Sequence, residues 1–133
     1  MKNDSCSLIR ESFDCSTYER DRTVFSGRKT GEKDGAILYA FRVEDRVMRM
    51  SLSFEDGRCR ILQVYPDSSS ELLLDPRGRG YYALTLSSGH RLVLIAETTF
   101  MKHDDFETVF KYNLYEEHSE KVISFNEVTI KGD

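Results

Sequence analysis

The sequence predicts an all-β chain, folded as an up-and-down antiparallel meander of about seven to nine strands into a barrel or sandwich-like body. Two observations predict it. Apolar residues recur at every second position through most of residues 37–95, as strands with one buried face require. The turns between those runs also have lengths and residue types that keep every apolar face on the same side of the sheet. The segment Gly80–Phe100 shows both. Tyr82, Leu84 and Leu86 alternate with Ala83, Thr85 and Ser87, and Leu92 and Leu94 alternate with Val93 and Ile95. Ser87-Ser88-Gly89 is a three-residue hairpin turn, with glycine where the backbone needs positive φ. That turn pairs Leu84 with Leu92 and Tyr82 with Leu94.

The elements follow in order. Residues 1–21 are polar and show no clean period, so they read as a flexible or partner-ordered N-terminal arm, with a short helix over Leu8–Phe13 as the alternative. Residues 22–131 read as a single antiparallel β domain. Arg22–Phe25 is a short first strand, and Ser26–Gly35, with three glycines, a loop. Ile37, Tyr39, Phe41 and Val43 mark a strand, and Met48, Met50, Leu52 and Phe54 the next. A two-residue turn at Glu44-Asp45 pairs Phe41 with Met48, Tyr39 with Met50 and Ile37 with Leu52, although it lacks the glycine or asparagine such turns prefer. Asp56-Gly57 is the strongest hairpin signal, and it sets Phe54 opposite Cys59 and Leu52 opposite Ile61. The strand from Arg58 to about Tyr65 stops at Pro66, which cannot donate to a ladder. Ser70–Asp75 follows. A five-residue loop, Pro76–Gly80, then places Leu74 opposite Tyr82 and Leu72 opposite Leu84.

Residues 104–117 read two ways. Phe106, Val109, Phe110 and Leu114 form a helical stripe behind a capping Asp104-Asp105. Phe106, Thr108, Phe110, Tyr112 and Leu114 alternate as a strand, and the β-formers in the segment favour that reading. With one short helix there, the order becomes about seven strands, a helix and a strand, which resembles pleckstrin-homology-like modules in outline, with no motif to carry the likeness. Val122–Ile130 is the closing strand.

Composition limits the function classes. The net charge is −4, and residues 102–133, with four lysines against eight acids, carry all of it. No basic field is present to gather nucleic acid, so that partner is disfavoured. No 18-residue apolar run and no signal-like segment occurs, so the expectation is a soluble intracellular protein, cytoplasmic or nuclear, without a membrane span. Cys6, Cys15 and Cys59 are an odd set without metal-ligand spacing and read as free thiols.

Nothing in the sequence points to catalysis. No P-loop, dinucleotide fingerprint or nucleophile elbow is present, and Ser68–Ser70 and Ser87-Ser88 are turn residues. His103-Asp104-Asp105 are adjacent on an extended chain and point in alternate directions, which argues against a shared metal. The expectation is no enzyme, no cofactor and no metal.

The register yields one candidate surface. If the apolar side chains share one face, the other face carries Arg42, Arg49, Arg58 and Arg60 on three adjacent strands, beside Leu62, Val64 and Leu73. Charged residues on a solvated sheet face are the ordinary case. Arginines among aliphatics also suit a protein interface, since the guanidinium grips carboxylates through a rigid fork of donors. Arg77 and Arg79 are loop candidates for the same role. The leading expectation is a non-catalytic protein–protein interaction module, a subunit or adaptor of a larger assembly, docking through this Arg/aliphatic face or through an edge strand; homo-oligomerisation is compatible with it. The alternative is a small β-barrel holding an apolar ligand, for which a few convergent polar groups inside the barrel are the cue to look for. A third reading is a binder of an anionic, phosphate-bearing partner such as RNA or a lipid head group.

Overall fold

The structure, a computed structural model, describes residues 4–133. It is all β. Ten strands run β1 (Ser5–Asp14), β2 (Arg20–Lys33), β3 (Ala36–Val43), β4 (Arg46–Glu55), β5 (Arg58–Val64), β6 (Ser68–Leu74), β7 (Arg79–Leu86), β8 (Arg91–His103), β9 (Glu107–Glu116) and β10 (Val122–Gly132). Each pairs antiparallel with the next, and β1 pairs with β10, so the meander closes into a barrel.

The central registers are those the turns dictate. Leu84 faces Leu92 and Tyr82 faces Leu94, with Gly89 at φ +91°. Phe41 faces Met48, Tyr39 faces Met50, and Ile37 faces Leu52. Phe54 faces Cys59 across Asp56-Gly57, whose two residues both take positive φ.

Five expectations are corrected. Residues 5–14 are a strand with β10 on one side and β2 on the other, neither an arm nor a helix. Its inward set is Cys6, Leu8, Arg10 and Ser12, which is half polar and so conceals the alternation that a purely apolar interior would display. The stretch read as a loop, Ser26–Gly35, belongs mostly to β2, whose hairpin with β3 turns on Asp34-Gly35. The β6–β7 register lies two residues from the expected one: Leu72 faces Tyr82, and Ser70 faces Leu84. The connection is shifted one position earlier and begins at Asp75, which accepts hydrogen bonds from the Arg77 amide (3.0 Å, side chain) and the Gly78 amide (3.1 Å, carbonyl). The strands number ten, above the seven to nine expected, because residues 5–14 and most of 26–33 are strand as well. Residues 107–116 are strand, as the alternation favoured, and the pleckstrin-homology-like alternative falls away.

The interior divides into two halves. One is packed with Leu8, Phe41, Met48, Met50, Leu52, Cys59, Ile61, Leu72, Leu74, Phe110 and Ile130, all buried. Near the Asp56-Gly57 turn, the His103 ring lies 4.5 Å from Phe54, and its Nδ1 is 2.7 Å from Thr108 Oγ1. In the other, Arg10, Ser12, Gln63, Tyr65, Ser70, Tyr82, Thr98, Tyr112 and Asn126 point inward yet keep partial solvent exposure. That half is polar and open.

Candidate functional sites

The open half is organised by Arg10. Strand alternation sets it inward beside Leu8, and its side chain crosses the barrel to β5 and its flank. One guanidinium nitrogen donates to the Tyr65 hydroxyl at 3.1 Å, and the other donates to Gln63 Oε1. The cation also lies over the Phe25 ring, 5.6 Å from its centroid. None of these partners is negatively charged, and among the described residues Arg10 forms no salt bridge.

Two more tyrosines converge on this charge. Tyr82 from β7 hydrogen-bonds Ser70, and burial raises its pKa although Arg10 pulls the other way. Tyr112 from β9 is enclosed more deeply. Burial pushes its phenol up to about 12, again against the pull of Arg10. No carboxylate contributes to either shift. Both phenols therefore remain protonated at neutral pH and are available as neutral donors. On β8, directly opposite Tyr112, the Thr98 hydroxyl is buried and has no hydrogen-bond partner among the described residues. The barrel interior thus holds one cation and three phenols, with Tyr65 in contact with Arg10 and Tyr82 and Tyr112 close enough to feel its charge.

The outer face carries the second candidate. Arg42, Arg49, Leu62 and Val64 are brought together: they line one groove of about 970 Å³ with Leu38, Ala40, Val47 and Ser51. Arg42 stands opposite Val47 and Arg49 opposite Val64 in the ladder. Val47 is 54% exposed, Leu62 40% and Val64 52%, so the groove is aliphatic as well as basic. Neither arginine forms an ion pair among the described residues.

The remaining expected site residues lie elsewhere. Arg58 and Arg60 line a separate notch of about 100 Å³ with Ser53, Glu55 and Leu73, and Arg60 is already bridged to Glu71 at 2.9 Å. Arg77 bridges Asp75 and donates to the Asp56 carbonyl, which ties two turns together. Arg79 covers the Tyr115 ring at 5.8 Å. Closure of the barrel also leaves no edge strand for docking among the described residues. His103, Asp104 and Asp105 do not converge: His103 is turned to Thr108, and Asp104 accepts from the amides of Phe106 and Glu107.

Sequence reasoning missed Arg10, Tyr65, Tyr82 and Tyr112 as a group. Tyr82 was visible as an inward residue. Arg10 was hidden in a segment without apolar period, and its partners come from four other strands.

No family model matches the chain, and no curated protein matches it. The crystal structure of the ywiB protein from Bacillus subtilis shares the fold, with a TM-score of 0.60 at 10% identity, over 98% of this chain and 92% of that one. No helix among the described residues is long and apolar enough to cross a membrane.

Proposed function

We propose that the protein is a non-catalytic binding protein that holds a small, partly apolar ligand in the open half of its barrel. One observation carries this reading: Arg10, Tyr65 and Tyr82, with Tyr112 close by, converge inside the barrel and face no acidic partner. Interior polar groups cost stability unless they are satisfied, so a cluster retained in that place favours a ligand role. Phe25 and the tyrosine rings supply apolar wall, and the phenols and Arg10 supply orientation.

The test is a native mass spectrum of the protein isolated from its own cells, alongside titration with a hydrophobic dye. A bound small molecule, or a dye displaced by an extract of small molecules, is the expected result. A bare polypeptide mass with no dye binding would sink the reading.

The outer groove supports a second reading, the interaction module. Unpaired Arg42 and Arg49 beside exposed Val47, Leu62 and Val64 fit an extended peptide with alternating acidic and aliphatic side chains. Arg42→Glu with Arg49→Glu should release any stoichiometric partner while leaving the thermal transition in place. Retention of the partner by that variant would exclude the groove.

A further inference from the structure

We infer that the outer groove binds a phosphorylated, extended segment of a partner protein, its phosphate taken by Arg28, Arg42 and Arg49 and an aliphatic side chain two positions away seated between Leu38 and Leu62. This rests on the interaction-module reading above and names the chemical mark that the groove selects.

The ladder builds two hollows side by side. Arg28 on β2 faces Ala40 on β3, and Ala40 faces Arg49 on β4, so a methyl group stands between two long cations. Arg42 lies two residues along β3 from Ala40 and is exposed on the same face. Three guanidinium groups therefore surround one short side chain. In the next row, Leu38 faces Ser51 and Ser51 faces Leu62, so a second short side chain stands between two leucines. All of these residues line the one groove. Ala40 and Ser51 are diagonal neighbours in the β3–β4 ladder, about 7–8 Å apart. Side chains two residues apart on an extended chain point to the same side at a spacing of about 6.5 Å. One extended segment thus fills both hollows with residues i and i+2.

Charge identifies what enters the first hollow. Among the described residues no acid lines the groove, and none of the three arginines forms an ion pair. The chain as a whole has a net charge of −4, so this group of unpaired cations runs against its overall balance. A glutamate brings one charge and two oxygens, which a single guanidinium fork satisfies. A phosphate monoester brings a charge of about −1.5 to −2 and three acceptor oxygens, enough to engage all three arginines. The second hollow decides what carries the phosphate. A single nucleic-acid strand needs exposed rings on which its bases stack, and the two aromatic residues along the groove, Tyr39 and Phe41, are buried. Leu38 and Leu62, with exposed Val47 and Val64 beside them, take an aliphatic side chain instead.

The probes are degenerate nonapeptides with phosphoserine or phosphotyrosine at the centre and leucine two positions before or after it, passed over the immobilised protein. Matched pools carry glutamate or the free hydroxyl in place of the phosphorylated residue, or glutamine in place of leucine. Oligouridine and phosphatidylserine vesicles are the competing polyanions. The phosphorylated leucine pool should be retained, and its best sequence should bind at least about tenfold more tightly than the glutamate form. Arg28→Ala, Arg42→Ala and Arg49→Ala should each weaken it by about tenfold. Ser51→Leu, which fills the second hollow, should abolish the preference for leucine over glutamine and keep the preference for phosphate. Circular dichroism of each variant verifies that the barrel is intact. Glutamate and phosphorylated pools retained equally, with loss in the arginine variants, would overturn the phosphate assignment and leave the interaction module standing. Peptide binding undiminished in the arginine variants would overturn both. Oligouridine or vesicles retained in preference to every peptide, or no probe retained at all, would likewise overturn both.

Discussion

Arg10 on β1 reaches Tyr65, 55 residues away in sequence, and donates to its phenol oxygen at 3.1 Å from across the barrel. The contact spans the interior instead of following a ladder, and it is made by a cation without an anion. Arg10→Met removes an enclosed charge but leaves Gln63 Oε1 and the Tyr65 hydroxyl without that donor, two effects of opposite sign. Its stability should therefore stay within about 1–2 kcal/mol of the wild type in urea denaturation. A loss of more than about 2 kcal/mol would show that Arg10 holds the fold together, and so would remove the reason for assigning it to a ligand.

Thr98, opposite Tyr112 in the ladder, gives a second measure of the interior. A buried hydroxyl without a partner costs about 1–3 kcal/mol, and Thr98→Val removes the hydroxyl while nearly conserving shape. The variant should gain about 1 kcal/mol in the ligand-free protein, read from chemical denaturation.

The turn at Glu44-Asp45 holds its two strands in register despite an unfavourable residue. Glu44 has φ +59°, and Asp45 is not among the residues with positive φ, so the strain falls at the first central position, where glycine is preferred. Glu44→Gly should stabilise by about 0.5–1 kcal/mol after the added flexibility of the unfolded chain is discounted. A lower melting temperature in this variant would contradict the strain.

Gly80 should tolerate nothing larger. A Cβ there would fall on the Leu73 carbonyl oxygen of the neighbouring strand. Gly80→Ala should cost about 2–3 kcal/mol, while Gly78→Ala two positions earlier, whose nearest new neighbour is an Asp75 carboxylate oxygen at 4.0 Å, should change little.

Alkaline pH should unfold the protein in a defined window. Burial raises Cys6 to about 11, Cys59 to about 12 and Tyr112 to about 12. In each case the folded chain holds its proton more tightly than the unfolded one, so the stabilisation is complete below the unfolded value and is lost as pH rises towards the folded value. Stability should be level up to about pH 9 and then fall, each thiol adding a slope of about 1.4 kcal/mol per pH unit, with Tyr112 joining above about pH 10. Cys59→Ala should reduce that slope by one proton in denaturation profiles between pH 8 and 11. An unchanged slope would mean that Cys59 ionises freely in the folded state.

The sequence made the fold class legible where both faces of the sheet differed in polarity. Between Ile37 and Ile61 and again around Leu72 and Leu94 the inward residues are mostly apolar, so alternation and turn length together specified the pairing of Phe41 with Met48 and of Tyr82 with Leu94. The reading failed where the inside of the barrel is itself polar. Arg10 and Ser12 alternate with Ile9 and Phe13 in the opposite sense to the rest of the chain, and the segment therefore looked patternless. The outer groove was legible in part, because Arg42, Arg49, Leu62 and Val64 lie on adjacent strands whose registers were fixed by local turns. The interior site was not legible, because a group drawn from β1, β5, β7 and β9 and from the residue just after β5 depends on closure, and closure leaves no local mark.

The β1–β10 seam has a consequence for how the protein is made. Cys6 pairs with Gly132, so the barrel shuts through its most distant segments. Contacts of such separation form slowly, and at ordinary elongation rates β1 waits on the order of ten seconds for its partner to be synthesised. Throughout that interval β1 presents a bare edge to the ribosome-associated chaperones and to other nascent chains. The contact of Arg10 with Gln63 and Tyr65 across the interior is completed only once β1 is in place, so an intermediate without the seam lacks it.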